Sequence, residues 1–204
     1  MLLGCALIFS GLLLFYVGYL LRSAYFWGRI PGVHPAENQA LPSVTVIVPA
    51  RNEAAHIAAC VTAILHQNYP AELLELIVVN DHSEDETVAL AHAAAADATN
   101  FQLMELRAPL GPAYKKAAVA QAIAAARGAL IVTTDADCHM GADWLRTLVA
   151  HFGPDTALVS GPVALESDSV FGQFQALEFM GLIAVGAAGI AAGHRRRHET
   201  QQPP

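Results

Sequence analysis

Two carboxylates separated by one alanine, Asp135 and Asp137, close the apolar, β-branched run at 129–134. In an extended chain their side chains point the same way about 6 to 7 Å apart. At an effective dielectric of about 20, two negative charges at that distance repel by about 2 to 3 kcal/mol. A divalent cation between them reverses the sign. Hard cations such as Mg2+ and Mn2+ take carboxylate oxygens and share their coordination with substrate phosphates. A solvated Asp-Ala-Asp turn is the alternative, and an isolated pair does not separate the two. Metal chemistry based on sulfur is not expected. Cys5, Cys60 and Cys138 have neither CxxC spacing nor a framework of pairs, which fits a reducing compartment and provides no zinc site. His194 and His198 have helical ligand spacing but stand in a polar tail.

The elements that must position these acids follow from periodicity. Residues 44–48, 76–80, 101–106 and 129–134 read as strands, and 157–160 as a further one. Between and after them, 53–66, 84–96, 114–126 and 142–152 repeat apolar residues at helical spacing. Alternation of this kind predicts βαβ units, right-handed crossovers and an α/β fold with a largely parallel sheet flanked by helices. Ligands of such sheets bind beyond the carboxyl ends of the strands. Three polar loops fall there: 49–53 after the first strand, 80–83 after the second and 135–137 after the fourth.

Residues 2–21 carry no charge, a length sufficient to cross a hydrocarbon core of about 30 Å as one helix. Tyr16, Tyr19, Tyr25, Phe26 and Trp27 gather toward one end, as at a membrane interface. Without a preceding basic residue or a clear small-x-small site, the segment reads as an uncleaved anchor over 1–29. Arg22 and Arg29 flank its carboxyl side, so the positive-inside bias predicts a single span in the cell membrane with the following domain in the cytoplasm. A Pro-rich linker is expected at 30–42, the domain at 43–193 and a polar tail at 194–204. The second apolar stretch, 171–193, is interrupted by Gln173, Gln175 and Glu178 and softened by alanine and glycine, and it reads as a core helix rather than a second span. A net charge of −7 excludes a nucleic-acid surface, which needs a basic face.

Four runs then occur in order: VIVPARNEA at 46–54, HQNYP at 66–70, IVVNDHSEDET at 77–87 and TTDADC at 133–138. Together they resemble the amino-terminal half of family-2 glycosyltransferases, the inverting nucleotide-sugar enzymes with the Rossmann-like glycosyltransferase A fold. The resemblance implies a membrane-anchored transferase active in polysaccharide biosynthesis. It also implies a donor site at Pro49, Ala50, Arg51, Glu53, Asp81, Lys115 and Asp135, and a Mg2+ or Mn2+ site at Asp137 with Asp135. Asp81 stands where the family accepts hydrogen bonds from the nucleobase, and an acceptor-only group suits the N–H of a uracil-like edge. An Asx turn or helix cap would use the same residue locally. Arg51 replaces a frequent aromatic and can stack its guanidinium plane on a base. Asn80 and His82 stand where the family often has Asp and Gly. Lys115, after Gly111-Pro112-Ala113-Tyr114, resembles a basic motif that opens a helix near the diphosphate, where lysine charge and helix N–H groups favour phosphate.

The implied donor is a nucleotide-diphosphate sugar of uridine type. The acceptor is open, and the family's general base, an Asp from a Glu-Asp pair, has no counterpart here. From His194 the composition turns abruptly charged and proline-ended, which predicts an incomplete enzyme whose last residues come from a shifted frame or premature stop. Two rival readings stand beside this one. A nucleotide-sugar binding module would keep the donor residues without transfer. A haloacid-dehalogenase-type phosphohydrolase would use Asp135 as nucleophile, but it places its acids after the first strand, with Thr or Val where His139 stands here.

Overall fold

Val44, Val46 and Val48 face one side of the first strand and Ile47 the other, and all are wholly buried, so β1 (Val44–Ala50) is covered on both faces. The same holds for β2 (Leu74–Asn80), which is buried along its whole length. With β3 (Phe101–Glu105) and β4 (Leu130–Thr133) they form a parallel four-stranded sheet in the order β3-β2-β1-β4. The computed structural model describes residues 2–30, 32, 40–107, 114–153 and 156–192. It divides into a sheet unit within 33–159 and a helical unit from 1–32 with 160–204.

In the sheet unit, α2 (Ile57–Leu65), α3 (Thr87–Ala95) and α5 (Trp144–Ala150) pack on one face. Ile57, Val61, Ile64, Ala91, Leu145 and Val149 join Val44, Val46, Val48, Leu76 and Val78 in the main core there. The opposite face is covered by α4 (Tyr114–Ala125), whose Ala118 and Ala122 let it approach Ile47, Ile77 and Val79 closely. At the amino end of the sheet, Glu75 accepts from Thr45 Oγ1 (2.6 Å), Arg127 N (2.9 Å) and Arg127 Nε (2.8 Å). Gly128 follows, and a Cβ there would lie 2.4 Å from Thr45 N, so only glycine lets the chain enter β4 at that point.

The parallel sheet flanked by helices is the expected fold, with α5 starting at Trp144 rather than 142 and two helices starting later still. α2 begins at Ile57 rather than Glu53, after a turn in which His56 N and Ile57 N both donate to Glu53 O. α3 begins at Thr87, where Asp85 Oδ1 accepts from Thr87 N (3.0 Å). No strand forms at 157–160 or 161–163: the side chain that a buried strand would cover, Leu158, is 83% exposed, and no described segment pairs with these residues. The linker at 30–42 lies largely outside the described residues, and the tail at 194–204 wholly so.

The helical unit holds α1 (Leu2–Trp27) and α6 (Val170–Ala191), capped by Ser169 Oγ accepting from Gly172 N (3.0 Å). The expectation of a core helix at 171–193 is not met. Phe171, Phe174, Leu177, Leu182 and Ile190 are exposed, and both α1 and α6 are long and apolar enough to cross a membrane. The interruption by Gln173, Gln175 and Glu178 argued against a span, but it did not supply a core to bury the helix in. The two helices touch, and in α1 the sheltered side chains are Ser23 and Phe26, while 4–22 are exposed throughout.

Candidate functional site

Because the strands are parallel, β1, β2 and β4 all release their chain at one rim. Ala50 pairs with Asn80 and Ile47 with Thr133, so the loops that follow emerge side by side. Strand order also reverses here: β2 and β3 extend from one side of β1 and β4 lies on the other. A crevice opens beyond the carboxyl ends of the strands at such a switch point. A cleft of about 200 Å³ occupies it, lined by Pro49, Ala50, Arg51, Glu53, Asp81, Lys115, Asp135, Ala136 and Asp137. Every donor and metal residue expected from the sequence lines this one cleft.

Asp81 is 4% exposed, continuing β2 through Asp81 N donating to Ala50 O (2.8 Å). Its Oδ2 lies 3.8 Å from Arg51 Nη1, and its Oδ1 lies 3.2 Å from His82 Nδ1. The buried carboxylate thus has two cationic or N–H partners at the cleft wall. His82 has φ 55, the left-handed region that glycine adopts without strain, which explains why a family position often held by Gly is reached here by a residue under local constraint. Asn52 (φ 54) mirrors it on the facing loop.

The two loops brace one another through residues not singled out above. Asn52 N donates to Ser83 Oγ (3.1 Å), Glu84 N to Asn52 Oδ1 (2.8 Å), Glu53 N to Thr87 Oγ1 (2.8 Å) and Ala54 N to Asp85 Oδ2 (3.1 Å). Hydrogen bonding from the Thr87 side chain, above all, holds the Asp85 carboxyl below its ordinary pKa. Asn80 is consumed structurally: its Oδ1 accepts from Ser83 N (3.1 Å) and its Nδ2 donates to Glu105 Oε2 (2.7 Å). The only signal for these braces was the density of Asn, Asp, Ser and Thr in 80–87, with the single Asn52 opposite.

On the other side of the cleft, Lys115 Nζ is 2.7 Å from Asp135 Oδ1, with side chains 64% and 55% exposed. An exposed pair of this kind contributes about 0 to 1 kcal/mol. Lys115 is therefore cheaply released to another anion. Asp137 is exposed in the turn after β4, where Cys138 N donates to Asp135 O (3.3 Å). No group of three or more His, Cys, Asp or Glu side chains gathers among the described residues. Two carboxylates suit Mg2+ or Mn2+, which keep waters and take their remaining oxygens from substrate phosphates. Cys60, beneath the loop, has its thiol pushed up to about 12 by burial, then by Cys138, Asp137 and Glu53, so it stays protonated and is no thiolate ligand.

The profile of glycosyl transferase family 2 matches residues 45–201. The chain is 32% identical over 124 residues to glycosyltransferase AglE of Haloferax volcanii, covering 60% of this chain and 40% of that protein. It is 32% identical over 97 residues to the probable glycosyltransferase YdaM of Bacillus subtilis, covering 48% and 23%. Among solved structures, a mannosyltransferase from Pyrobaculum calidifontis in complex with GDP-Man and Mn2+ superposes with a TM-score of 0.56 at 33% identity, covering 66% of this chain and 39% of that one. The chain thus spans about 40% or less of the length of these relatives. The match through the sheet, the cleft and the sequence beyond them has one meaning: the chain belongs to glycosyl transferase family 2 and has the glycosyltransferase A fold.

Proposed function

We propose that the cleft is the donor site of an inverting, metal-dependent glycosyltransferase that takes a nucleoside-diphosphate sugar. The observation that carries this reading is the placement of Asp81, Lys115, Asp135 and Asp137 around one cleft at the strand switch point. Asp81 recognises the base. A buried carboxylate only accepts, so it selects an edge that donates N–H, as uracil and guanine do, and disfavours cytosine and adenine, which present a ring acceptor there. Uridine diphosphate is the expected ligand, and guanosine diphosphate, held by the Pyrobaculum relative as GDP-Man, satisfies the same rule. Arg51 covers the base and Glu53 accepts from the ribose.

Lys115 leaves Asp135 for the diphosphate, assisted by the amino end of α4. Asp137 holds the cation and Asp135 lies toward the sugar. A cation held there would stabilise the negative charge that develops on the nucleoside diphosphate leaving group. No general base is assigned among the described residues, so a module that binds donor without transferring it shares every contact above.

We further propose that α1 anchors the chain by a single span with the sheet unit in the cytoplasm. Arg22 and Arg29 mark the inner end, where Ser23 is buried and Phe26 half-buried, and on this reading α6 stays at that end rather than crossing. Isothermal calorimetry on the full chain in detergent tests the donor reading. UDP or GDP should bind with Mn2+ and lose at least tenfold in affinity with chelator, while ADP and CDP bind weakly under both conditions. Equal affinity for the four nucleotides would remove Asp81 from base recognition, and equal affinity with chelator would remove the metal. Transfer of labelled sugar to an acceptor then separates the enzyme from the binding module.

A further inference from the structure

We infer that Gln67 is a positioning residue for the metal and diphosphate side of the cleft, acting through the loop that carries Asp137. The inference rests on the donor-site reading above. Gln67 follows α2, is 6% exposed, and spends its amide on the loop between β4 and α5: Nε2 donates to Gly141 O (2.8 Å) and Oε1 accepts from Leu145 N (3.0 Å). Nε2 also donates to Ala63 O of its own helix (3.0 Å), which fixes the rotamer. Asn68 extends the clamp, with its N donating to Ala142 O (2.8 Å) and its Nδ2 to Asp143 Oδ1 (2.7 Å). Arg146 Nε returns a bond to Asn68 O (2.6 Å).

On its other side the loop is held by Ala136, 3% exposed in the main core, and by Met140 packed against that core. Upstream, β4 ends and Thr134 N donates to Ile47 O (3.2 Å). Asp137 lies three residues past that pin and four before Gly141, and its own side chain is exposed. From Asp135 to Gly141 the hydrogen bonds include a turn, Cys138 N to Asp135 O (3.3 Å), a long contact from Cys60 Sγ to the same oxygen (3.8 Å) and the exposed Lys115 Nζ–Asp135 Oδ1 pair (2.7 Å). Asp137 therefore stands between two anchors, the buried Ala136 on the sheet side and 141–145 on the other, and the second sets how the chain runs on from it. That anchor is Gln67, helped by Asn68. A buried amide with no loop to hold would be destabilising compared with an apolar side chain of the same shape. Groups that orient a metal ligand typically change metal affinity 10- to 100-fold when lost, and Gln67 would act in that way one step further out, through the backbone that follows Asp137.

The test uses the full chain in detergent, with whichever of UDP and GDP binds the unaltered protein more tightly. The Mn2+ concentration at half-saturation is read from the electron paramagnetic resonance signal of free Mn2+, and the matching nucleoside, which lacks phosphates, is titrated without metal. Gln67→Met should raise the Mn2+ midpoint at least tenfold and leave nucleoside affinity within twofold, and Asn68→Ala, on an exposed residue, should raise it about threefold. A Mn2+ midpoint unchanged in folded Gln67→Met, or one that rises only in step with a loss of nucleoside affinity, would overturn the inference and leave Gln67 a stability residue. If Gln67→Met does not fold, Asn68→Ala decides by the same criterion. Metal-independent binding by the unaltered chain would instead overturn the donor-site reading, and this inference with it.

Discussion

Asp81 and Asp137 are both acceptors in one cleft, yet the first is 4% exposed and the second stands in solvent, so their substitutions should read differently. Asp137→Asn should leave thermal unfolding unchanged and raise the Mn2+ requirement for nucleotide binding at least tenfold, because it removes ligand charge where nothing packs. A loss of folding by circular dichroism would make Asp137 a structural residue. Asp81→Ala should weaken nucleotide binding by about 10- to 100-fold, the equivalent of a charged hydrogen bond of about 1.5 to 3 kcal/mol, with the Mn2+ midpoint unmoved. Their meeting at one cleft was legible in the sequence because both acids stand in loops that follow parallel strands. Asn52, Ser83, Asp85 and Thr87 were not. Their partners lie more than thirty residues away along the chain, and only the folded rim brings the two loops together.

Between elements, the amino end of the sheet is closed by one carboxylate. Burial by itself would raise the Glu75 carboxyl, but bonds from Thr45, Arg127 N and the Arg127 guanidinium outweigh it and hold the pKa below 4.5. A lowered carboxyl contributes stability that is complete above its unfolded value and is lost as pH falls through its native one. Glu75→Gln should therefore cost about 1.5 to 3 kcal/mol near pH 7, and the gap to the unaltered chain should close toward pH 3, as read by thermal unfolding. A gap that persists in acid would mean that shape, not charge, is what Thr45 and Arg127 require. Gly128→Ala should cost about 1 to 3 kcal/mol or more, since the added methyl meets Thr45 backbone. Strands β1, β2 and β4 were readable as apolar, β-branched runs. The late starts of α2 and α3 were not, because Thr87 of the facing loop takes Glu53 N ahead of α2, and Asp85, two residues upstream, takes Thr87 N where α3 begins. The supposed strand at 157–160 had the right residues and lacks a partner ladder among the described residues, which no local pattern reveals.

At the scale of the molecule, two apolar helices pose a question of topology that composition alone answers wrongly. Reading α6 as core failed because Phe171, Phe174, Leu177, Leu182 and Ile190 are exposed, and reading it as a second span meets a different obstacle. If α1 spans with Arg22 and Arg29 inside, a second crossing by α6 would carry Arg195, Arg196 and Arg197 to the outer side, against the positive-inside bias. Gln173, Gln175 and Glu178 would also enter hydrocarbon, where an acid at a helix centre costs about 2.5 to 3.5 kcal/mol. The shelter on α1 is limited to Ser23 and Phe26, at the arginine-flanked end, and 4–22 are left clear for lipid. A single span with α6 held at the inner interface satisfies all three observations. A fluorescent-protein fusion after Pro204 in a bacterial host should therefore be fluorescent, and an alkaline phosphatase fusion at the same point inactive. Replacing Arg195, Arg196 and Arg197 with Gln should not invert this pair of signals, because the polar residues of α6 still oppose crossing. An active phosphatase fusion on the unaltered chain would establish two spans and remove α6 from the cytoplasmic side.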